Sequence, residues 1–464
     1  MGVPFVPLVR MSELYDWSWV EDEAARTMAA WEACAARPWP GGPRFTPSDQ
    51  RKREKAYDHG LRAVEREARK AQKGPGSRAA RLEAQRRVVA VFPRFAAIAL
   101  GLESEAVALL TDGFLPVATD LARWARRFDP ALSTADLIQA CRNAWTACGL
   151  QTLLGEPMRL TPAILGYSLL YPYSDNYLDQ AGVSKVEKLE FSARFRERLH
   201  GRTLAVRNPR EAAIWAAVQL IEGEFPRPRF PHVYECLLAI HRAQELSIAQ
   251  LKGSGDCDVL ELLRISCAKG GTSVLADACL VRGRLSEVES RLAFEWGALL
   301  QLGDDLQDVR EDLERGSSSL FSRAAATGKP LDGLVMQLLN FSDRVTARME
   351  RLPDGSAALK NLLRMSWRNL ILMAVAGTQE FFSRTLLAEL EASSPFRFDF
   401  LRSRSKKLMG RQGLYAVLFD AFLEAGEGEM DGLPLPGERM ELRGEHEPGR
   451  LPALAALSGS CAGV

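Results

Sequence analysis

Two acidic stretches hold the residues best suited to chemistry. In Tyr171-Pro172-Tyr173-Ser174-Asp175-Asn176-Tyr177-Leu178-Asp179, a helical backbone puts the carboxylates of Asp175 and Asp179 one turn apart on one face. In Gln301-Leu302-Gly303-Asp304-Asp305-Leu306-Gln307-Asp308-Val309-Arg310-Glu311-Asp312, residues Asp304, Asp308 and Asp312 form a column at steps of four, with Asp305 beside it. Like charges so placed repel, and keeping them at the ends of apolar helices makes sense where a divalent cation sits between them. Hard carboxylate oxygens select magnesium, with manganese as the alternative. Either stretch alone is equally well explained as a solvated helix face. Together, roughly 130 residues apart, they can oppose each other across a cavity, where cations would bridge to a diphosphate and neutralise it as it leaves.

The elements that must position these residues read as helices. Apolar residues recur three and four apart from about 78 to about 423, and strand patterns are nearly absent. Thr161-Pro162 has the form of an N-cap followed by proline in the first turn, opening the helix that ends in the first acidic stretch. Further helices are expected over 210–224, 231–252, 257–283, 286–313, 331–352 and 356–393. Gly270-Gly271 is expected to loosen the helix that contains it.

Composition narrows the setting. With 60 Lys and Arg against 59 Asp and Glu, the net charge is +1, so no global field marks a nucleic-acid partner. The basic stretch over residues 51–87 lacks interleaved aromatics and reads as a solvated helical face or linker. Eight cysteines without a C-x-x-C pair and five histidines without ligand spacing speak against zinc or a disulfide framework, and a reducing cytoplasm is the simplest compartment. No apolar run reaches the roughly 20 residues that span a bilayer, which leaves peripheral membrane contact open. The expected organisation is an N-terminal extension over 1–90, a helical domain over 91–425 and a flexible tail over 426–464.

Residues 301–321, QLGDDLQDVREDLERGSSSLF, resemble the second aspartate-rich motif of squalene and phytoene synthases, with Q-L, an aspartate, V-x-E-D and a later R-G in the same order. Gln301, Asp304, Asp305 and Asp308 equally resemble the F-Q-x-x-D-D-x-x-D motif of trans-prenyl diphosphate synthases. Asp175-Asn176-Tyr177-Leu178-Asp179 resembles the first motif of both groups, with Asn176 replacing one aspartate. These are class I isoprenoid synthases. The resemblance extends over about residues 95–395 as an architecture but matches residue by residue only in the two motifs.

That resemblance implies an all-α, class I terpenoid synthase-like antiparallel helical bundle around a deep apolar pocket, with both acidic motifs at its mouth. It implies Mg2+ held by Asp175 and Asp179 on one wall and by Asp304, Asp305 and Asp308 on the other, with Asp312 added in the squalene-like alignment. A prenyl diphosphate would be the substrate, ionised and then cyclised or rearranged. Binding a diphosphate also takes basic residues. Lys269 in Cys267-Ala268-Lys269-Gly270-Gly271-Thr272 resembles the lysine of a K-T element in prenyl diphosphate synthases, and Arg194 and Arg198 are further candidates. Gln244 and the Arg142-Asn143 pair rank below them. Tyr171, one turn before Asp175, is placed to limit the length of a prenyl tail, and Tyr167 and Tyr177 could wall the pocket, although packing between helices explains such tyrosines as well.

The G-G-K-x-x-R element of chain-elongating enzymes, the Asn/Ser/Glu triad of common cyclases and the Y-x-x-x-V-A-G-x-V-G element of squalene and phytoene synthases are all missing. The chain therefore looks like a divergent branch of the superfamily, and a prenyl-transferring or head-to-head condensing enzyme, which the Q-L, V-x-E-D and R-G match favours, is the alternative chemistry. A non-catalytic helical scaffold or binding protein is the alternative class.

Overall fold

The computed structural model describes residues 18–35, 39–74, 76–179, 182–250 and 258–411, and single positions at 413, 416, 418–420 and 423; the side chains of 175, 176, 178, 179, 248–250 and 409 lie outside that description. Every regular element among these residues is helical. In chain order they are α1 (Ser18–Ala35), α2 (Pro47–Gln72), α3 (Arg78–Phe95), α4 (Ser104–Ala108), α5 (Leu115–Phe128), α6 (Thr134–Leu153), α7 (Pro162–Asp179), α8 (Lys185–Leu199) and α9 (Pro209–Glu224). There follow α10 (Pro231–Gln250), α11 (Val259–Arg282), α12 (Glu287–Gln307), α13 (Val309–Arg315), α14 (Leu320–Ala325), α15 (Asp332–Met349), α16 (Ala357–Gly377), α17 (Arg384–Ala392) and α18 (Phe398–Met409). π-helical turns over Ala96–Leu100 and Leu109–Phe114 join α3 to α4 and α4 to α5.

Local signals account for the helix starts. Ser133, Ser184 and Ser286 each cap a helix and are capped in return by Asp136, Glu187 and Glu289 three residues on, so two otherwise orphaned backbone donors are satisfied at each start. Thr161 Oγ1 accepts from Ile164 N at 3.3 Å, and Glu224 accepts from Ala163 N at 2.8 Å, which fixes the start of α7 where the Thr-Pro pair places it. Two expected helices are instead broken. The one over 286–313 bends at Asp308, whose φ of −89° and ψ of 3° close α12 and open α13. The one over 356–393 stops at Gly377, where Thr378 Oγ1 turns back onto Ala374 O at 2.7 Å, and Ser383 starts α17 afresh.

α11 is apolar around nearly its whole circumference and lies at the centre, against α12, α10, α1, α6 and α7. It runs unbroken through Gly270-Gly271, contrary to the loosening expected there. The two glycines serve instead to bring α12 close. A Cβ on Gly270 would stand 2.2 Å from Gly297 O, and one on Gly271 would stand 2.4 Å from the Phe294 ring.

Residues on both sides of the expected boundary at position 90 share one core. In α1, Val20, Ala24 and Trp31 are buried with the central helices. α2 packs against α3, and acidic residues of α2 reach α18 and the residues flanking it: Glu54 pairs with Arg397, Asp58 with Arg404, and Glu65 with Lys407 and Arg411. The segment over 51–87 is thus a packed helical pair rather than a linker. Apart from Leu423, the expected tail and the last residues before it lie outside the described residues. No described helix is long and apolar enough to cross a membrane.

Candidate functional site

Hydrogen bonds between helices show which ends come together. Ser266 Oγ donates to Asp305 Oδ2 at 2.6 Å while Gly270 abuts Gly297, so α11 and α12 run antiparallel. Asn143 Nδ2 donates to Ser168 Oγ, and Tyr173 OH donates to Asp129 just before α6, so α6 and α7 are antiparallel too. Asn143 also donates to Asp277, and Glu156, beyond the end of α6, pairs with Arg282, so α6 and α11 are parallel. α7 therefore runs against α11. Tyr167 OH donates to Ser273 O at 3.1 Å; from that level, eight residues along α7 to Asp175 and seven back along α11 to Ser266 both cover about 11 Å. The backbones of the two acidic motifs thus end at the same end of the bundle. The side chains of Asp175 and Asp179 lie outside the described residues.

On the α12 side, Asp305 accepts from Ser266 and, at 2.9 Å, from Gln301 Nε2. Asp304 lies 4.0 Å from Arg142 Nη2 with 44 % of its side chain exposed, so water screens that pairing. Desolvation pushes both carboxyls up to about 6, against the opposing pull of Arg142 on Asp304 and of the Ser266 and Gln301 hydrogen bonds on Asp305. Lys269 lies close enough to favour the ionised form of both. Asp308, exposed at the bend, is also pushed up to about 6, by partial desolvation and then by repulsion from Asp312 and Glu311. Asp312, past the bend, hydrogen-bonds Ser319.

Sequence-selected residues Asp304, Asp305, Gln301 and Lys269 are therefore brought together, with Asp308 next to them. Arg194 and Arg198 are not. Arg194 donates to both oxygens of Glu211 at 2.7 and 2.9 Å, and Arg198 does the same to Glu222 at 2.7 and 2.6 Å, so both guanidinium groups fasten α8 to α9. Arg142, ranked low from sequence, is the arginine that reaches the acidic pair. Gln244 is buried in α10. Among the described residues, no group of three or more His, Cys, Asp or Glu side chains is gathered in a form that could hold a metal ion.

Below Asp304 a cavity of about 450 Å³ opens between α6, α7, α11, α12 and α16. Asp304, Gln301 and Arg142 line it at the acidic end. Tyr171, Trp145, Trp296 and Trp367 line its walls, and Tyr57 of α2 and Phe396 also reach it. Tyr167 is buried and bonded to Ser273 O, and Tyr177 packs edge-on against Phe191 under the guanidinium of Arg210.

One lining residue had no motif to announce it. Asp277 is 1 % exposed, receives Asn143 Nδ2 on Oδ1 at 3.1 Å, and has no partner for Oδ2. Burial pushes its carboxyl well above the usual carboxylate range. Its one signal in the sequence is an acidic residue inside Val274-Leu275-Ala276-Asp277-Ala278-Cys279-Leu280, where the pattern leaves no polar face.

Comparison with protein-family models, curated proteins and solved structures returns no match.

Proposed function

We propose that the protein is a magnesium-dependent class I isoprenoid synthase that ionises a prenyl diphosphate and lets the resulting carbocation cyclise or rearrange. The observation that carries this reading is the placement of Asp304, Gln301 and Arg142 on the rim of a cavity whose walls are aromatic and aliphatic, with the backbone of the first acidic motif arriving at the same end. Such a site has a charged end for a diphosphate and an apolar interior for its hydrocarbon.

The residues present fit a divalent cation. Asp304 and Asp308 offer hard oxygen donors, and their proton affinity is raised by desolvation first and by neighbouring carboxylates after it, a cost that a bound cation would relieve. Asp304 and Asp308 would hold it, with Asp175 and Asp179 candidates from the other wall. Bound there, it would supply charge neutralisation for the departing diphosphate. Arg142 and Lys269 would pair with the diphosphate oxygens. Asp305, its oxygens engaged by Ser266 and Gln301, would keep α12 in register with α11. Trp145, Trp296 and Trp367 would exclude water and present ring faces to a cationic intermediate.

The test is incubation with C10 to C30 prenyl diphosphates and magnesium, read by mass spectrometry. A hydrocarbon or alcohol from a single prenyl diphosphate supports the proposal, and a requirement for two prenyl units moves the reading to a condensing enzyme. No turnover of any chain length, together with no magnesium-dependent thermal stabilisation by inorganic diphosphate, would overturn it.

A further inference from the structure

Asp277 stands about 16 Å along α11 from Ser266 and hence from the acidic rim, on the wall of the same cavity. A buried carboxyl oxygen without a partner is costly, and native interiors almost always satisfy such atoms with a protein group, a water or a ligand. Asn143, whose amide also reaches Ser168, satisfies Oδ1 alone. The indole Nε1 of Trp296, on the same cavity wall, is likewise buried without an acceptor.

We infer that Asp277 is the hydrogen-bonding pole of the cavity and that the ligand it recognises is an apolar chain bearing a hydroxyl group. A hydroxyl is the group that fits in either protonation state of the acid, since it donates to a carboxylate and accepts from a carboxylic acid. An ether or carbonyl oxygen would satisfy only the protonated acid, and an ammonium only the ionised one. Burial, which raises the proton affinity of Asp277, favours the neutral pairing over a resident cation. The free indole N–H of Trp296 asks for the same kind of oxygen. For an isoprenoid body of the ligand this inference rests on the proposed function; for the hydroxyl it rests on the cavity alone.

The experiment measures binding rather than turnover, using the intrinsic fluorescence of the tryptophans that line the cavity. The probes are 1-dodecanol and tridecane, with farnesol and a hydrocarbon of equal length as the isoprenoid pair, added to the full chain and to Asp277→Leu. Leucine replaces an unsatisfied carboxyl with an apolar group of similar size, and Asn143 keeps Ser168. The wild type is expected to favour each alcohol over its hydrocarbon by about tenfold more than Asp277→Leu does, and Asp277→Asn, which can still donate, is expected to keep most of that preference. Asp277→Ala replaces the leucine variant should the latter not fold. An alcohol preference equal in wild type and Asp277→Leu, or no binding of any probe, overturns the inference. An Asp277-dependent preference for dodecanol with no advantage for farnesol keeps the hydroxyl pole and removes the isoprenoid body, so the two readings fail separately.

Discussion

Gly297→Ala should destabilise the protein although alanine is the better helix former. The added Cβ would stand 1.9 Å from the Gly270 carbonyl oxygen and 3.0 Å from Gly271 Cα. Ordinary carbon contacts lie at about 3.5 Å, so α11 and α12 would have to part by roughly 1.5 Å. Both obstructing atoms belong to backbone, and no rotamer change relieves them. Overpacking of this kind costs about 1–3 kcal/mol, and the absence of a soft neighbour puts this site at about 3. Removing a glycine from a helix interior returns about 1 kcal/mol, for a net loss of about 2 kcal/mol. Gly333→Ala, at an exposed position of α15 with nothing within 4 Å, is the control and should be neutral or slightly stabilising. Urea titration followed by circular dichroism gives both midpoints. Under the proposed function, Gly297→Ala should also weaken magnesium-dependent diphosphate binding, because separation of the helices stretches the 2.6 Å Ser266–Asp305 bond. A Gly297→Ala midpoint at or above wild type would refute the close-packing argument.

Four further outcomes can be checked. Glu295→Gln should cost about 2 kcal/mol in urea titration, because Glu295 is 3 % exposed and binds Arg348 through two bonds at 2.7 and 2.8 Å, and the change leaves a half-buried guanidinium without its counter-charge; an unchanged midpoint counts against it. Since Asp304, Asp305 and Asp308 are raised to about 6 in the folded chain, their contribution to stability is fully present below about pH 4 and falls as pH rises through 6, and stabilisation by magnesium with diphosphate should grow over the same interval; a Tm shift flat from pH 5 to 7.5 would contradict this. Asp304→Asn should melt at or above the wild-type temperature near pH 7, since it removes a carboxylate whose ionised form burial disfavours, while lowering turnover by orders of magnitude; wild-type turnover would make the acidic rim ordinary surface. Tyr171→Ala should move product or substrate preference toward longer chains, and an active variant with unchanged preference would exclude Tyr171 as a limit on tail length.

Much of the helical architecture was legible because its signals are local. The Thr161-Pro162 start and apolar spacing place the helices expected over 210–224, 257–283 and 331–352 within a few residues of their observed ends. The misses are tertiary. Whether a helix continues through Asp308 or Gly377 depends on what the next turn packs against, and whether Gly270 and Gly271 loosen a helix or admit a neighbour depends on Gly297, which lies on the facing helix.

The site divides along the same line. The α12 acidic motif is a local pattern and was found, whereas the cations around it are set by reach. Arg194 and Arg198 outranked Arg142 in sequence, yet each faces a glutamate of α9 and is spent there, while Arg142 has Asp304 as its partner and lines the cavity. An arginine's value to an anionic ligand is decided by whether a nearer carboxylate already holds it, and that is a property of the assembled bundle. Asp277 makes the converse case. An acid in a run of apolar residues must end up buried, so the sequence does contain the anomaly, but only the packed structure shows that it lines a cavity with one oxygen satisfied and the other without a partner. α11 thus joins both ends of the site through Ser266 at the acidic rim, Gly270 against α12 and Asp277 at depth, and a change in its seating should be felt at all three.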